Sequence, residues 1–300
     1  MGIYEEIASN KRRSYVLIFF FFVLVIFVGF VIGLIYNSTY FGIGLAVVIG
    51  FFYFIFSYFG GANAILTMTK AKEAKKPQYA HLINTVEGLA IAAGLAKPPK
   101  VFVIKDSALN AFATGRDPEH SAITVTTGLL EKMNRVELEG VVAHEMSHIK
   151  NYDIRVMMLA AVMVGITVLL SDFILRSFLW GSHGRRNNDN NKLGPVLIIV
   201  GIALAILSPL VGEAIKLAIS RKREFLADAN GALLTRYPKG LADALKKIKG
   251  DPDPLVDHAN KATAHLFIST PFRKTKKSFM KNIFSTHPDI NERIKRLEGM

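Results

Sequence analysis

The sequence predicts a mainly α-helical integral membrane protein with a small β-sheet. Three observations lead to this class: the composition is apolar, four long apolar runs interrupt the chain, and short alternating segments rich in β-branched residues lie between the second and third runs. Of the 300 residues, 51% are hydrophobic and 20% are charged, whereas soluble chains are about a quarter charged. Because the chain has no cysteine, a disulfide framework and a thiol nucleophile are excluded, and a metal site would have to use His, Asp and Glu.

The two N-terminal apolar runs predict a transmembrane helical hairpin over residues 1–62. The first run, 16–36, is about 21 residues long and spans about 30 Å as a helix, which is enough to cross a hydrocarbon core. A short polar turn separates it from the second run, 41–59. Cationic residues flank the hairpin and are absent from its turn: Lys11, Arg12, Arg13, Lys70, Lys72, Lys75 and Lys76. The positive-inside rule therefore places the N-terminus and the residues after Lys70 in the cytoplasm.

Two further apolar runs, 156–170 and 193–211, predict a second transmembrane hairpin over residues 156–212. This hairpin would be inserted into a polar domain formed by residues 63–155 and 213–300. The alternative is that both runs form buried helices of a soluble bundle.

The polar domain is predicted to be mixed. Helical spacing covers residues 77–94 and 137–150, and the β-branched segments 101–104 and 121–127 predict strands. Residues 110–115 lie between these strands and suggest a strand end followed by a glycine turn. Residues 213–249 are predicted to be helical, and the tail from Asp251 is loop-rich and basic.

One motif outside the apolar runs combines two histidines with a glutamate, His144-Glu145-x-x-His148. On a helix, His144 and His148 project from the same face and can bind one divalent ion. Glu145 is placed to act on water rather than to bind the metal. The pattern arises by chance in about one chain in a hundred of this composition. If the helix continues unbroken into the third apolar run, the metal lies about 12 Å from the start of that run.

A catalytic zinc site needs a third protein ligand and an open position. The extended motif with a third histidine six residues after the second is absent here. Glu224 is the favoured third ligand, because Asp228 follows one helical turn later and can accept a hydrogen bond from the outer nitrogen of a ligand histidine. Glu213 remains an alternative, although Leu217 occupies its matching position. Taken alone, Glu224 would also fit an exposed, charged helix face.

The chain resembles the bacterial HtpX-type membrane zinc peptidases within the M48 family, which also includes the CAAX prenyl endopeptidase Ste24. The motifs that carry this resemblance are, in chain order, Asn110-Ala111-Phe112-Ala113 with Gly115, His144-Glu145-x-x-His148, Glu224-x-x-x-Asp228, and Thr286-His287-Pro288 with Arg293. Their order and the two flanking hairpins also match. The fold that the resemblance implies is a zincin-like (gluzincin) catalytic domain, divided between residues 63–155 and 213–300.

The resemblance implies a role for the metal-binding motifs. His144, His148 and Glu224 would bind one Zn²⁺ ion per chain, Glu145 would be the general base, and Asp228 would support a ligand histidine.

The other two motifs would act on the substrate. His287 and Arg293 would stabilise the developing oxyanion or bind substrate. The segment Asn110, Ala111, Phe112 and Ala113 would lie at the edge of the cleft, where an extended substrate adds as a strand.

The implied activity is zinc-dependent hydrolysis of peptide bonds, with damaged or misfolded membrane proteins as substrates, at the cytoplasmic face of the bacterial inner membrane. The partners are then protein or peptide substrates and the lipid bilayer. The net charge of +13 and the basic tail suit anionic headgroups rather than nucleic acid, and no glycine-rich loop indicates a nucleotide. The alternatives are a transporter or scaffold with a structural metal, and a metal hydrolase that acts on a non-peptide bond.

Overall fold

The computed structural model describes residues 3–35, 37–160, 221–251, 267–268 and 288–300. Most of the predicted second hairpin, the alternative ligand Glu213 and the predicted site residue His287 lie outside these ranges. The chain divides into two compact units. The first comprises Met1–Lys11, Gly61–Met158 and Ala218–Met300, and the second comprises Arg12–Gly60 and Leu159–Leu217.

The first two apolar runs form two long helices, α1 (Ile3–Ile35) and α2 (Thr39–Met68), and the second unit contains the part of them between Arg12 and Gly60. Both helices contain segments long and apolar enough to cross a membrane, Ile7–Phe30 and Thr39–Met68, so the two predicted apolar helices are confirmed as candidate membrane spans. The two helices approach closely at Gly29, where an added Cβ would lie only 2.5 Å from the Cβ of Ala46. Large apolar side chains such as Phe19 and Phe52 remain exposed, as expected of a surface that faces lipid.

The first unit contains a mixed four-stranded sheet in the order β1-β2-β4-β3. Its strands are β1 (Lys72–Glu73), β2 (Lys100–Ile104), β3 (Ala111–Asp117) and β4 (His120–Thr126). Strands β2 and β4 are parallel, whereas β3 pairs antiparallel with β4 and forms one edge. The two predicted strands are confirmed. The segment expected to be a strand end with a glycine turn is instead most of β3.

The first unit also contains the helices α3 (Lys76–Ala93), α4 (Thr127–Lys132), α5 (Arg135–Lys150), α6 (Arg221–Thr235), α7 (Pro238–Gly250) and α8 (Ile290–Glu298). Helix α5 is central and packs against α3, α6, α7 and β3. It begins at a capping box, in which Asn134 accepts hydrogen bonds from the first turn and the Glu137 side chain accepts one from the Asn134 backbone. Helices α6 and α7 are separated by Arg236, which has a positive φ of 53°.

Helix α5 does not continue into the third apolar run. It ends at Lys150, and Asn151 and Tyr152 form a corner in which Tyr152 has a φ of 61°. A new helical segment then covers residues 153–160. The expectation of an unbroken helix is therefore wrong. The physical reason is that the left-handed backbone at Tyr152 cannot belong to an α-helix.

We expect Gly140→Ala to destabilise the first unit, because a Cβ at Gly140 would lie 2.6 Å from the backbone nitrogen of Leu241 on α7. Overpacking of this kind costs about 1–3 kcal/mol, measurable as a lower stability of the detergent-solubilised protein to denaturant. The matched control is Gly88→Ala on α3, where an added Cβ meets nothing within 4 Å. Equal stabilities of the two variants would contradict the close packing of α5 on α7.

Candidate metal centre

Two helices bring together three side chains that can bind a metal. Helix α5 presents His144 and His148 one turn apart, and their Nε2 atoms lie 3.2 Å from each other. Helix α6 presents Glu224, whose carboxylate oxygens lie 3.6 Å from the Nε2 of His148 and 3.7 Å from that of His144. Helix α6 can approach this closely because it has Gly231 against the backbone of His144, where an added Cβ would lie 3.1 Å from the nitrogen. All three side chains are buried.

The outer nitrogens of both imidazoles face carboxylates. The Nδ1 atom of His144 lies 2.9 Å from Oδ1 of Asp228, and that of His148 lies 2.9 Å from Oδ2 of Asp153. Each Nδ1 therefore donates a hydrogen bond, so that once both imidazoles are neutral, as metal binding requires, their lone pairs are on the two Nε2 atoms.

The spacing of these lone pairs fits a tetrahedral zinc ion. With zinc–nitrogen bonds of about 2.0–2.1 Å, two ligand nitrogens are about 3.3 Å apart, close to the 3.2 Å observed between the Nε2 atoms. A nitrogen and carboxylate ligand set without sulfur is also one that zinc accepts in catalytic sites. The residues present therefore fit the metal.

Helix α8 contributes the guanidinium of Arg293, whose side chain is 1% exposed. It donates from Nε to Oδ2 of Asp228 at 2.9 Å and from Nη2 to Oδ1 at 2.7 Å. Its Nη1 also lies 3.8 Å from Oε2 of Glu224. Arg293 therefore binds the carboxylate behind His144 in a bidentate arrangement and adds positive charge next to the proposed ligand Glu224.

The site shifts the pKa values of its acidic groups in opposite directions. Burial raises the pKa of the Glu145 carboxyl above its usual value, and the nearby Glu224 carboxylate adds to this shift. Burial also acts on Asp228, but the charge of Arg293 and the hydrogen bond from His144 outweigh it and hold the pKa of Asp228 well below its usual range. Asp228 is therefore a fixed anion, while Glu145 is a stronger base than an exposed glutamate.

The metal-free site favours a protonated His148. Burial lowers the pKa of this imidazole, but the hydrogen bond to Asp153 and the Glu224 carboxylate more than compensate and raise it to about 9. A divalent ion would therefore displace a proton from His148 when it binds at neutral pH.

The segment predicted to bind substrate lies at the edge of the sheet, next to α5. Asn110 to Ala113 are buried, and the rings of Phe112 and Phe267 are 5.0 Å apart in an edge-to-face arrangement. The backbone N–H of Ile268 donates to the carbonyl of Ala111 at 2.9 Å. The role of this segment in binding substrate stays a prediction.

Three residues around the metal centre were missed by sequence reasoning: Asp153, Asn10 and Arg223. Asp153 lies beyond the end of α5, and on an unbroken helix it would point about 140° away from His148. Asn10 lies more than a hundred positions earlier, in an apolar helix without any metal-binding pattern. Arg223 directly precedes Glu224, but its spacing alone suggested an exposed cation.

A pair of histidines one turn apart, an adjacent glutamate and a distant carboxylate define a metallohydrolase centre. The model of peptidase family M48 matches residues 76–300. The chain is 46% identical over 297 residues to the protease HtpX homolog of Dictyoglomus thermophilum, covering 99% of this chain and 94% of that protein. It is 41% identical over 307 residues to the protease HtpX homolog of Listeria monocytogenes, covering 99% of this chain and all of that protein.

The chain belongs to peptidase family M48 and is a metalloendopeptidase. The crystal structure of S. mikatae Ste24p shares its fold, with a TM-score of 0.51 and 18% identity over 98% of this chain and 67% of that one. The resemblance inferred from the motifs is thereby confirmed.

We expect Glu224→Ala to reduce the zinc content of the purified protein, because two imidazoles alone hold zinc more weakly than three ligands. Elemental analysis of detergent-purified protein measures the content per chain. Glu137→Ala is the matched control, since Glu137 is also a buried glutamate. It does not belong to the metal-binding group, and its Oε2 lies 2.6 Å from Nζ of Lys247. Full zinc occupancy in Glu224→Ala would move the third ligand to another residue, such as Glu213.

Proposed function

We propose that this chain is a membrane-embedded zinc endopeptidase with His144, His148 and Glu224 as the ligands of one zinc ion. Its substrates are damaged or misfolded membrane proteins, which it cleaves at the cytoplasmic face of the bacterial inner membrane. The observation that carries the proposal is the convergence of the three ligand groups, whose donor atoms all lie within 4.8 Å of one another.

Glu145 is the general base of the proposed reaction. When bound, zinc supplies a Lewis acid that makes water acidic and polarises the scissile carbonyl. Glu145 then accepts a proton from the attacking water and delivers it to the leaving amine. Its buried position and raised pKa support both transfers, because the protonated form is not strongly disfavoured.

Two further groups act on the substrate in this proposal. Arg293 and His287 stabilise the oxyanion or bind substrate. For Arg293, the role is supported by the position of its buried guanidinium near both Glu224 and His144. Residues Asn110 to Ala113 bind an extended substrate, supported by the location of Ala111, Phe112 and Ala113 on the edge strand β3 beside α5.

The proposed membrane substrates are supported by two apolar helices that are long enough to span a bilayer. Cationic residues at both ends of this hairpin support a cytoplasmic catalytic domain, formed by residues 63–155 and 213–300.

The second candidate function is a transporter or scaffold with a structural metal. A structural zinc site is closed by four protein ligands. Among the described residues, three side chains converge on the candidate metal position, and a buried glutamate lies beside them. This arrangement favours an open catalytic site.

We expect Glu145→Gln to abolish proteolysis while zinc stays bound, because an amide cannot accept the proton. Cleavage of casein and of a model membrane protein, with and without a chelator, measures activity, and elemental analysis measures zinc. Glu139→Gln, on the same helix but lining a groove near Tyr237, is the control and should keep both properties. Proteolysis by the purified Glu145→Gln variant would refute the role of Glu145.

A further inference from the structure

We propose that Asp153 is a positioning residue for His148 and that Asn10, in the N-terminal helix, positions Asp153 in turn. This inference rests on the proposed zinc-binding function of His148. The first step is the contact between Oδ2 of Asp153 and Nδ1 of His148 at 2.9 Å. When His148 is neutral, as a metal ligand must be, this hydrogen bond leaves the lone pair on Nε2, the atom that faces Glu224 and His144.

The corner after α5 makes this contact possible. On a straight helix, residues five positions apart point about 140° away from each other. The left-handed conformation of Tyr152, with a φ of 61°, ends α5 and turns the chain. The Asp153 carboxylate can therefore reach the imidazole of His148. The corner is held in place by Lys11 and Arg155, whose cationic groups lie 4.7 and 4.9 Å from the centre of the Tyr152 ring.

The other oxygen of Asp153 is held by Asn10. The side-chain amide of Asn10 donates to Oδ1 of Asp153 at 2.7 Å and to the backbone carbonyl of Asn151 at 2.8 Å. Both contacts lie within the first unit, which includes residues up to Lys11. One amide therefore joins the N-terminal helix to the corner and to the carboxylate behind the metal ligand.

Arg223 completes the environment of Asp153. Its Nη1 lies 3.5 Å from Oδ1 of Asp153 and 3.4 Å from Oδ1 of Asn10. Asn10 is 0%, Asp153 2% and Arg223 5% exposed, so bulk water does not screen these contacts, and the loss of one leaves its buried partner without its hydrogen bond or ion pair. The carboxylate then loses its fixed orientation or its compensating charge, and His148 is no longer held in the orientation that binds metal.

The test is zinc affinity, measured by competition between a chelator and the metal-free full chain in detergent. Asp153→Ala should weaken zinc binding by about 10–100-fold, the usual effect of losing a carboxylate behind a ligand histidine. Asn10→Ala should weaken it by about 2–10-fold, the range expected for one buried hydrogen bond. Asp153→Asn is a second variant, because it fills the same space but turns an amide N–H toward either His148 or Asn10.

Matched controls separate positioning from general destabilisation. Asp251 is a buried carboxylate in the same unit that accepts from the backbone of Leu109 and from Lys132, so Asp251→Asn should lower stability and leave zinc affinity unchanged. Ser9→Ala replaces the neighbour of Asn10 and should change neither. The visible absorption spectrum of the cobalt-substituted protein should change in Asp153→Ala, since the coordination geometry changes, and not in Asp251→Asn.

The outcomes distinguish this inference from the function on which it rests. If the unmodified chain binds no zinc, the proposed function fails. If the unmodified chain binds zinc and Asp153→Ala binds it equally well, only the positioning role is overturned. An equal loss of affinity in Asp251→Asn would also overturn it. Should Asp153→Ala fail to fold, an unchanged zinc affinity in both Asp153→Asn and Asn10→Ala would overturn the positioning role instead.

Discussion

The metal centre depends on the hydrogen bonds that fix two imidazole rings through their Nδ1 atoms, on the side opposite the metal position. The Nε2 atoms of His144 and His148 approach to 3.2 Å, a distance at which two lone pairs repel each other unless a proton or a metal ion lies between them. The hydrogen bonds to Asp228 and Asp153 prevent the rings from turning away. The metal-free site is therefore organised in advance for a cation, and the rest of the buried network serves to keep these two carboxylates in place.

The charge of this network matches a divalent ion. Four carboxylates are buried around the site, from Glu145, Asp153, Glu224 and Asp228, together with two guanidinium groups, from Arg223 and Arg293. With neutral imidazoles, the described groups have a formal charge of −2, which one zinc ion neutralises. Buried charges of one sign are costly unless they are paired, so metal binding is expected to contribute to folding of the first unit as well as to chemistry.

Contacts that depend on local spacing could be predicted from the sequence. Contacts that depend on the corner at Tyr152, or on segments far apart in the chain, could not. His144, His148 and Asp228 follow from intervals of one helical turn, and the strands follow from alternation. The contact of Asp153 with His148 depends on the end of helix α5 before Tyr152. No proline or glycine near this position indicates in the sequence that the helix ends there. The contact of Asn10 joins segments 143 residues apart, and no periodicity predicts it. The role expected for Arg293 came from family resemblance, whereas its bidentate contact with Asp228 depends on how helices α6 and α8 pack in three dimensions.

X-ray absorption at the zinc edge of the zinc-loaded protein is the sharpest test of the metal centre, because it reports the atoms bound to the metal without assuming any activity. We expect two imidazole nitrogens and carboxylate or water oxygens, all at about 2.0–2.2 Å in a four- or five-coordinate shell. A spectrum without the scattering pattern of two imidazoles, or a shell made of six oxygens, would contradict the proposed ligand set.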